Sequence, residues 1–410
     1  MHIAYISQHF VAPDGVGGLR PYMWSRKLVE AGHRVTLICG IYESNQAEEQ
    51  PAAYVTTKTL DGITLKILNE PYSNKQSLMQ RAQVFRKFAR AAFREILKIK
   101  PDLIFASSTP LTVGLPARKA AKKLKVPFVF EVRDLWPQLI FALGAMKNPL
   151  ARWYLTHMER SIYRAASHII ALSPGIKTGI CKTGFPENNV SIIPNCSDVD
   201  IFSPRNGKAE HENDGSKVRF VFAGAHGIAN GLDAVIDAAA ELKKRGYDKA
   251  QFLLVGDGSQ KKRLVDRSLR ENLDGYILWM PPMKKNELAA LMREADAGLM
   301  ILANIPEFYD GTSPNKFFDY LASGLLVLNN YPGWLARIIG EKECGLVAEP
   351  ENPVDFADKV ITLCESREMR EKMGKNSREL AESMFSRDAL GDDFVRILES
   401  VHTDHLKLRR

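Results

Sequence analysis

The chain's 410 residues exceed what one hydrophobic core usually serves, and two domains are expected. With 45% hydrophobic and 25% charged residues the composition is globular, not disordered or fibrous, and no run approaches the roughly 20 apolar residues of a membrane-spanning helix. The net charge of +8 is uneven: residues 1–205 hold 27 Lys and Arg against 15 Asp and Glu, residues 206–410 hold 29 against 33, so the halves should face different surroundings.

The sequence opens straight into a strand at 2–7, without the charged and apolar regions of an export signal, and a cytoplasmic location is expected. Further apolar runs at 34–39, 103–106, 128–131 and 168–171 read as strands. Segments 22–31, 78–98, 113–124 and 150–166 between them carry helical periodicity. The polar run 205–217 reads as a linker, after which strands at 219–223, 251–255, 276–279, 297–301 and 325–329 again alternate with helices. The fold class expected is therefore α/β, with two Rossmann-like, doubly wound domains facing a cleft. Residues 1–205 form the first domain and 206–386 the second, with a last helix from 387 to 410 packing back on the first. Five scattered cysteines without a CxxC spacing argue against a disulfide framework or zinc site.

Four strand ends hold residues suited to a ligand. After the first strand come His9, then Gly17, Gly18 and Arg20, where glycines let a backbone approach closely and Arg20 could meet an anion or, equally, pair as a first-turn arginine. The long loop and the absence of an acid after the second strand weigh against a dinucleotide fingerprint. Arg133, Asp134 and Trp136 follow the strand at 128–131 and offer a cation, a base and a stacking face. Gly224 and His226 open a glycine-rich loop suited to diphosphate, Gly256 ends the next strand, and Met283 lies in a loop that could close over a base. Asp198 and Asp200 imitate a metal-binding pair but are too sparse a set of oxygens, and they read as turn residues. No metal and no cofactor are expected.

The most informative stretch is Gly311-Thr312-Ser313-Pro314-Asn315-Lys316 through Asp319 to Gly324. Ser313 reads as an N-cap and Pro314 as the first helical residue, so a helix N-terminus would face the loop and favour phosphate. Lys316 and Asp319 share a face, a cation for phosphate beside a carboxylate for sugar hydroxyls. The alternative for such a pair is an ordinary surface ion pair. The helix at 80–98 sets Arg81, Arg86, Lys87, Arg90, Arg94 and Lys98 among Met79, Val84, Phe85, Phe88 and Phe93. Basic residues beside exposed aromatics would suit an anionic membrane, and a solvated face over a core stripe is the commoner reading.

In chain order, Gly17-Gly18, the run 31–35, Pro194-Asn195 with Asp200 and Phe202, the Gly224 loop, Gly256-Asp257-Gly258 and Ser313-Pro314-Asn315-Lys316 through Gly324 resemble the retaining nucleotide-sugar glycosyltransferases of family 4, which share the GT-B fold. The Arg133-Asp134-Leu135-Trp136-Pro137 motif is most similar to the bacterial branch that builds surface polysaccharides such as O-antigen and capsule. The resemblance implies a UDP-sugar donor on the second domain, often an N-acetylated sugar, and a lipid-linked or saccharide acceptor on the first. No nucleic acid partner is expected, and the basic helix with the basic excess of the first half points to peripheral contact at the inner face of the cell membrane. The family's two glutamates eight apart fall on Gly311 and Asp319, which leaves Glu307 or Asp310 to supply the acid near the sugar. Its diphosphate Arg and Lys fall on Ala225 and Asn230, so Lys316, the loop N–H groups and Arg20 would supply that charge. Asp134, Arg133 and His9 would stand near the reacting sugar. A UDP-sugar 2-epimerase of the same fold and a non-catalytic nucleotide-sugar-binding subunit are the alternatives.

Overall fold

Strands covered on both faces carry unbroken apolar runs, and such runs mark where this chain's parallel sheets lie. In the computed structural model, residues 1–13, 18–42, 53–72, 76–142, 144, 146–196, 198–204 and 217–409 are described. Among them the order is β1 (His2–Ile6), α1 (Arg20–Glu30), β2 (Arg34–Tyr42), β3 (Val55–Leu60), β4 (Ile63–Tyr72), α2 (Leu78–Ile99) and β5 (Leu103–Ser107). There follow α3 (Gly114–Leu124), β6 (Phe128–Val132), α4 (Gln138–Ala142), α5 (Pro149–Tyr163), β7 (His168–Ala171), α6 (Pro174–Cys181) and β8 (Val190–Ile192). The later part runs β9 (Val218–Ala223), α7 (Asp233–Lys244), β10 (Ala250–Val255), α8 (Lys261–Arg270), β11 (Ile277–Met280), α9 (Lys285–Arg293), β12 (Ala297–Met300) and α10 (Pro306–Gly311). It ends with α11 (Asn315–Ala322), β13 (Leu326–Asn329), α12 (Trp334–Glu341), β14 (Gly345–Val347), α13 (Pro353–Glu365), α14 (Arg367–Met384) and α15 (Arg387–Arg409).

Two compact units result: Met1–Pro194 together with Asp388–Arg410, and Asn195–Arg387. The division thus falls at Pro194, ahead of the boundary read at 205. Residues 205–216 of the run read as a linker lie outside the described residues.

The first unit is built on a sheet of order β3-β4-β2-β1-β5-β6-β7-β8, parallel except for β3 against β4. Alternation along β1 sends Ala4 and Ile6 into a core with Phe88 and Ala92 of α2, Ala117 and Ala120 of α3, and Met158 and Ile162 of α5. Tyr5 lies on the other face, which α1 and α15 cover. There Phe394 stacks on Trp24 at 5.2 Å between ring centroids and meets Phe105 edge-on at 5.0 Å, so the last helix completes the first unit's core. The strand order reverses beside β1, and a doubly wound sheet offers its binding crevice at the C-terminal ends of such strands.

The second unit holds a parallel sheet of order β11-β10-β9-β12-β13-β14, reversing between β9 and β12. Gly298 on β12 makes room for Tyr320: a Cβ there would overlap the tyrosine ring. That close approach seats α11 against the sheet, and Tyr320 Oη accepts a 3.1 Å bond from the Ala223 backbone at the end of β9. Two Rossmann-like units are thus present, as the alternating pattern indicated.

Candidate functional site

In the second unit the loop after β9 and the start of α11 meet at the reversal point. Lys316 is half-buried, and its Nζ donates to Asn230 Oδ1 at 3.0 Å and lies 3.7 Å from the Phe222 ring centroid. Among the described residues no carboxylate stands within ion-pair distance of it. Desolvation alone lowers its pKa to about 7. Gly224, with φ of +152°, brings the backbone beside this ammonium, since a Cβ there would stand 3.2 Å from Lys316 Nζ. A desolvated cation that among the described residues has a neutral amide and a ring beside it, in the first turn of a helix at a switch point, is arranged to receive an anion.

The neighbouring loops hold this backbone in place. A Cβ on Gly256 would overlap Gly224 O, and one on Gly258 would stand 2.6 Å from the His226 carbonyl. His226 is fully buried, its N–H donates to Asp257 O at 2.8 Å, and its ring packs on Phe222 and edge-on to Trp279. Burial, then Lys261, lowers its pKa to about 4, so it is a neutral packing and spacing group under the loop. Lys261 ties the ends of β10 and β11 together through Gly256 O at 2.6 Å and Met280 O at 2.9 Å. Met283 is half-buried just beyond.

The segment 307–319 differs in detail from the sequence reading. Asn315 opens α11 with Pro314 at the cap position, and Ser313 does not cap it. Instead Ser313 Oγ accepts from the Asn195 backbone at 3.0 Å and its carbonyl from Asn195 Nδ2 at 2.5 Å. Pro314 sits at the cap because its missing N–H would also have been missing from the first turn's bonding. Thr312 O takes a 2.7 Å bond from the Trp334 indole, and Gly311 ends α10. Asp310 is bound to Arg337 at 2.7 Å, whereas Glu307 is exposed. Asp319 is half-buried and Asn315 exposed. Asp198, half of the supposed metal pair, is buried and paired with Arg387 at 2.7 Å and Lys285 at 3.6 Å.

In the first unit His9, Arg133 and Asp134 gather where β1 and β6 end. Burial lowers the His9 pKa to about 4, with a smaller push from Arg133. Burial raises that of Asp134, and Arg133 opposes it. The His9 ring lies 4.7 Å from Tyr72, and the Arg133 N–H donates to Ser108 Oγ at 3.0 Å. Trp136 is half-buried against the core, and Leu135 fits over Gly179 of α6, where a Cβ would stand 2.5 Å from it. Arg20 takes a different place from the anion contact read in the sequence. It is 2% exposed, donates twice to Glu131 Oε1 at 2.8 and 3.0 Å, and reaches Ile193 O and Pro194 O. Ser107 Oγ donates to Glu131 Oε2 at 2.5 Å. Gly18 lies at the foot of α1, and Gly17 lies outside the described residues.

Sequence reasoning missed Phe222, Tyr320 and the full Glu131 network. Gly298 inside an apolar strand was the available signal for Tyr320, since an interior strand glycine marks a close approach. The aromatics of α2 also fall elsewhere than an exposed membrane face: Phe88 is buried beside Val84, Phe85 stacks on Tyr72, and Phe93 packs on the core, while Met79 is exposed.

Comparison with known proteins adds a family. Residues 22–201 match the model described as Glycosyltransferase Family 4, and residues 205–380 match Glycosyl transferases group 1. An alpha-D-kanosaminyltransferase of Streptomyces kanamyceticus is 26% identical over 68% of this chain and 72% of its own length. The sulfoquinovosyl transferase SQD2 of Arabidopsis thaliana is 27% identical over 70% of this chain, a match that spans 54% of that protein. Among solved structures, a sucrose-phosphate synthase of Thermosynechococcus elongatus superposes with a TM-score of 0.78 at 17% identity, covering 98% of this chain and 99% of that one. HepE of Anabaena, solved with UDP, gives 0.71 at 16% identity over 98% and 100%.

Proposed function

We propose a donor, a reaction course and an acceptor for a chain that is a glycosyltransferase of the GT-B fold and uses a nucleotide-sugar donor. The donor is a UDP-sugar carrying an N-acetylated amino sugar, bound by the second unit. The acceptor is a lipid-linked or saccharide hydroxyl on the first unit, in the synthesis of a bacterial surface polysaccharide at the inner face of the membrane. The observation that carries the reading is Lys316, a desolvated cation without a carboxylate partner among the described residues. That solved HepE structures hold UDP and UDP-glucose supports a uridine donor.

During transfer the bond from the sugar's anomeric carbon to the diphosphate oxygen breaks, and the acceptor oxygen bonds to that carbon on the same face, with retention. The acceptor's proton passes to the leaving diphosphate. Charge builds on that diphosphate as the bond breaks, and Lys316 with the first amides of α11 stabilises it more in the transition state than before. Asp134, with a pKa raised by burial, and Arg133 orient the sugar and the incoming hydroxyl. The pairing of Asp198 with Arg387 and Lys285 supports a course in which side chains, and not a metal on that aspartate, meet the diphosphate.

An NMR time course with a panel of UDP-sugars, with and without a lipid-diphosphate sugar, tests the proposal. UDP release with an α-configured product only when acceptor is present is the expected outcome. Conversion of the donor to its 2-epimer without acceptor, or binding without turnover across the panel, overturns it.

A further inference from the structure

The helices covering one face of the first unit share an unusual charge pattern. Within the helices α2, α3, α4, α5 and α6 themselves the acidic residues are Glu95 and Glu159, and both are buried, at 4% and 0% exposure. Outward from the same helices stand Arg86, Lys87, Arg90, Arg94 and Lys98 of α2, and Lys119, Lys122 and Lys123 of α3, all exposed. These helices pack into one core on one side of the sheet, so their exposed sides form one basic surface.

Among the described residues an apolar island on α5 interrupts it. On the first two turns of α5, Leu150 is 76% exposed, Trp153 67% and Tyr154 58%. Spacings of three and four residues place the three on one helix face. Trp153 stacks on His157 at 5.6 Å, and exposed Lys147 and Arg152 flank the island. Residues 138–158 contain no acid. Glu159 holds the island's base from within, taking both 3.2 Å bonds from Gln138 of α4, the helix that follows Trp136-Pro137 directly.

We propose that Leu150, Trp153 and Tyr154 enter the interface of an anionic phospholipid bilayer, with the basic faces of α2 and α3 drawing the unit to it. Trp and Tyr favour the headgroup level, where an apolar ring and a polar edge are both satisfied, and a leucine beside them adds buried apolar area. Basic residues around an apolar centre complement the negative surface of such a membrane. A nucleic acid would use the charge but leave the island in water, which is why the bilayer is the occupant that fits both parts. The membrane role differs from the one read in the sequence, since α2 supplies attraction and α5 supplies insertion. It deepens the reading of a lipid-linked acceptor and rests on that reading only for its purpose.

The full-length protein should be mixed with phosphatidylglycerol-containing vesicles, with neutral phosphatidylcholine vesicles and with single-stranded RNA, with no donor or acceptor present. Sedimentation with anionic vesicles and a blue shift of tryptophan emission are expected. The triple variant Leu150→Ser, Trp153→Ser, Tyr154→Ser should lose about tenfold or more in partitioning. An Arg86→Glu, Arg90→Glu, Arg94→Glu variant should lose binding to a degree that salt reproduces in the parent. UDP binding by the triple variant should match the parent, which shows that it is folded and separates failure here from failure of the transferase reading. Equal vesicle binding by parent and triple variant, tighter binding to RNA than to vesicles, or a dimer in the parent that the triple variant abolishes would each overturn the proposal.

Discussion

Lys316 and Asn230, 86 residues apart, share a 3.0 Å hydrogen bond that leaves the lysine ammonium beside a neutral amide. Desolvation holds the pKa near 7, so at alkaline pH much of the site is uncharged before a ligand arrives. The unfolded chain keeps its proton up to the ordinary lysine range. Stability therefore rises with pH between about 7 and 10.4 from this group. A bound diphosphate reverses the shift. At about pH 8, UDP binding should take up a proton, measured by calorimetry in buffers of different ionisation enthalpy, and should weaken as pH rises. Lys316→Met should abolish the uptake; uptake that persists in that variant would exclude Lys316 as the phosphate contact.

Arg20 and Glu131 form a buried pair whose remaining donors and acceptors are also met. Arg20→Met leaves a carboxylate without its cation, and about 3–5 kcal/mol of stability should be lost in urea unfolding. Arg20→Met with Glu131→Leu should be less unstable than the sum of the two single changes. Additive losses would mean that the pair is not a coupled unit.

Gly224 combines a φ of +152° with a near approach to Lys316. Gly224→Ala should cost about 1–3 kcal/mol in strain and weaken UDP binding. Thermal unfolding and calorimetry on the same sample check both, and an alanine variant with parental UDP affinity would place the diphosphate away from this loop.

Asp134→Asn should lower turnover about a hundredfold or more while leaving UDP affinity intact, because Asp134 belongs to the other unit. Arg133 pulls the Asp134 pKa down and pushes the His9 pKa down. Arg133→Gln should therefore move the acid limb of the turnover profile to higher pH, and a limb that stays fixed would separate these residues from the chemistry.

His226 is buried neutral, with its pKa lowered to about 4. The unfolded chain protonates its imidazole first, so stability contributed here is lost as pH falls from about 6.5 towards 4. His226→Phe keeps a ring against Phe222 and Trp279 and should flatten that loss in acid unfolding curves. An unchanged acid midpoint would show that other groups dominate.

Most of the parallel strands were legible because burial on both faces leaves apolar runs that need no partner to be recognised. The hairpin of β3 and β4 was not read, although Asp61-Gly62, with φ of +48° and +81°, is the residue pair that a tight hairpin turn demands. Its first strand, Val55-Thr-Thr-Lys-Thr-Leu60, is polar because it lies at the sheet edge. Residue types singled out Lys316 and Asp134 as candidates, but partner choice depended on distance in space. Nothing near Arg20 in sequence discloses Glu131, and nothing near Ser313 discloses Asn195. Phe85, Phe88 and Phe93 were ambiguous for another reason: helical spacing shows that they share a side but not which way that side faces.

The return of α15 to the first unit has a consequence for how the protein is made. Residues 1–194 leave the ribosome early, yet Trp24 and Phe105 wait for Phe394, which is synthesised after the whole second unit. Asn195–Arg387 is an uninterrupted stretch that can close its own core as soon as it emerges. The second unit should therefore be expressible alone, whereas a fragment ending at 194 would keep an apolar surface open to aggregation until residues 388–410 are supplied in trans.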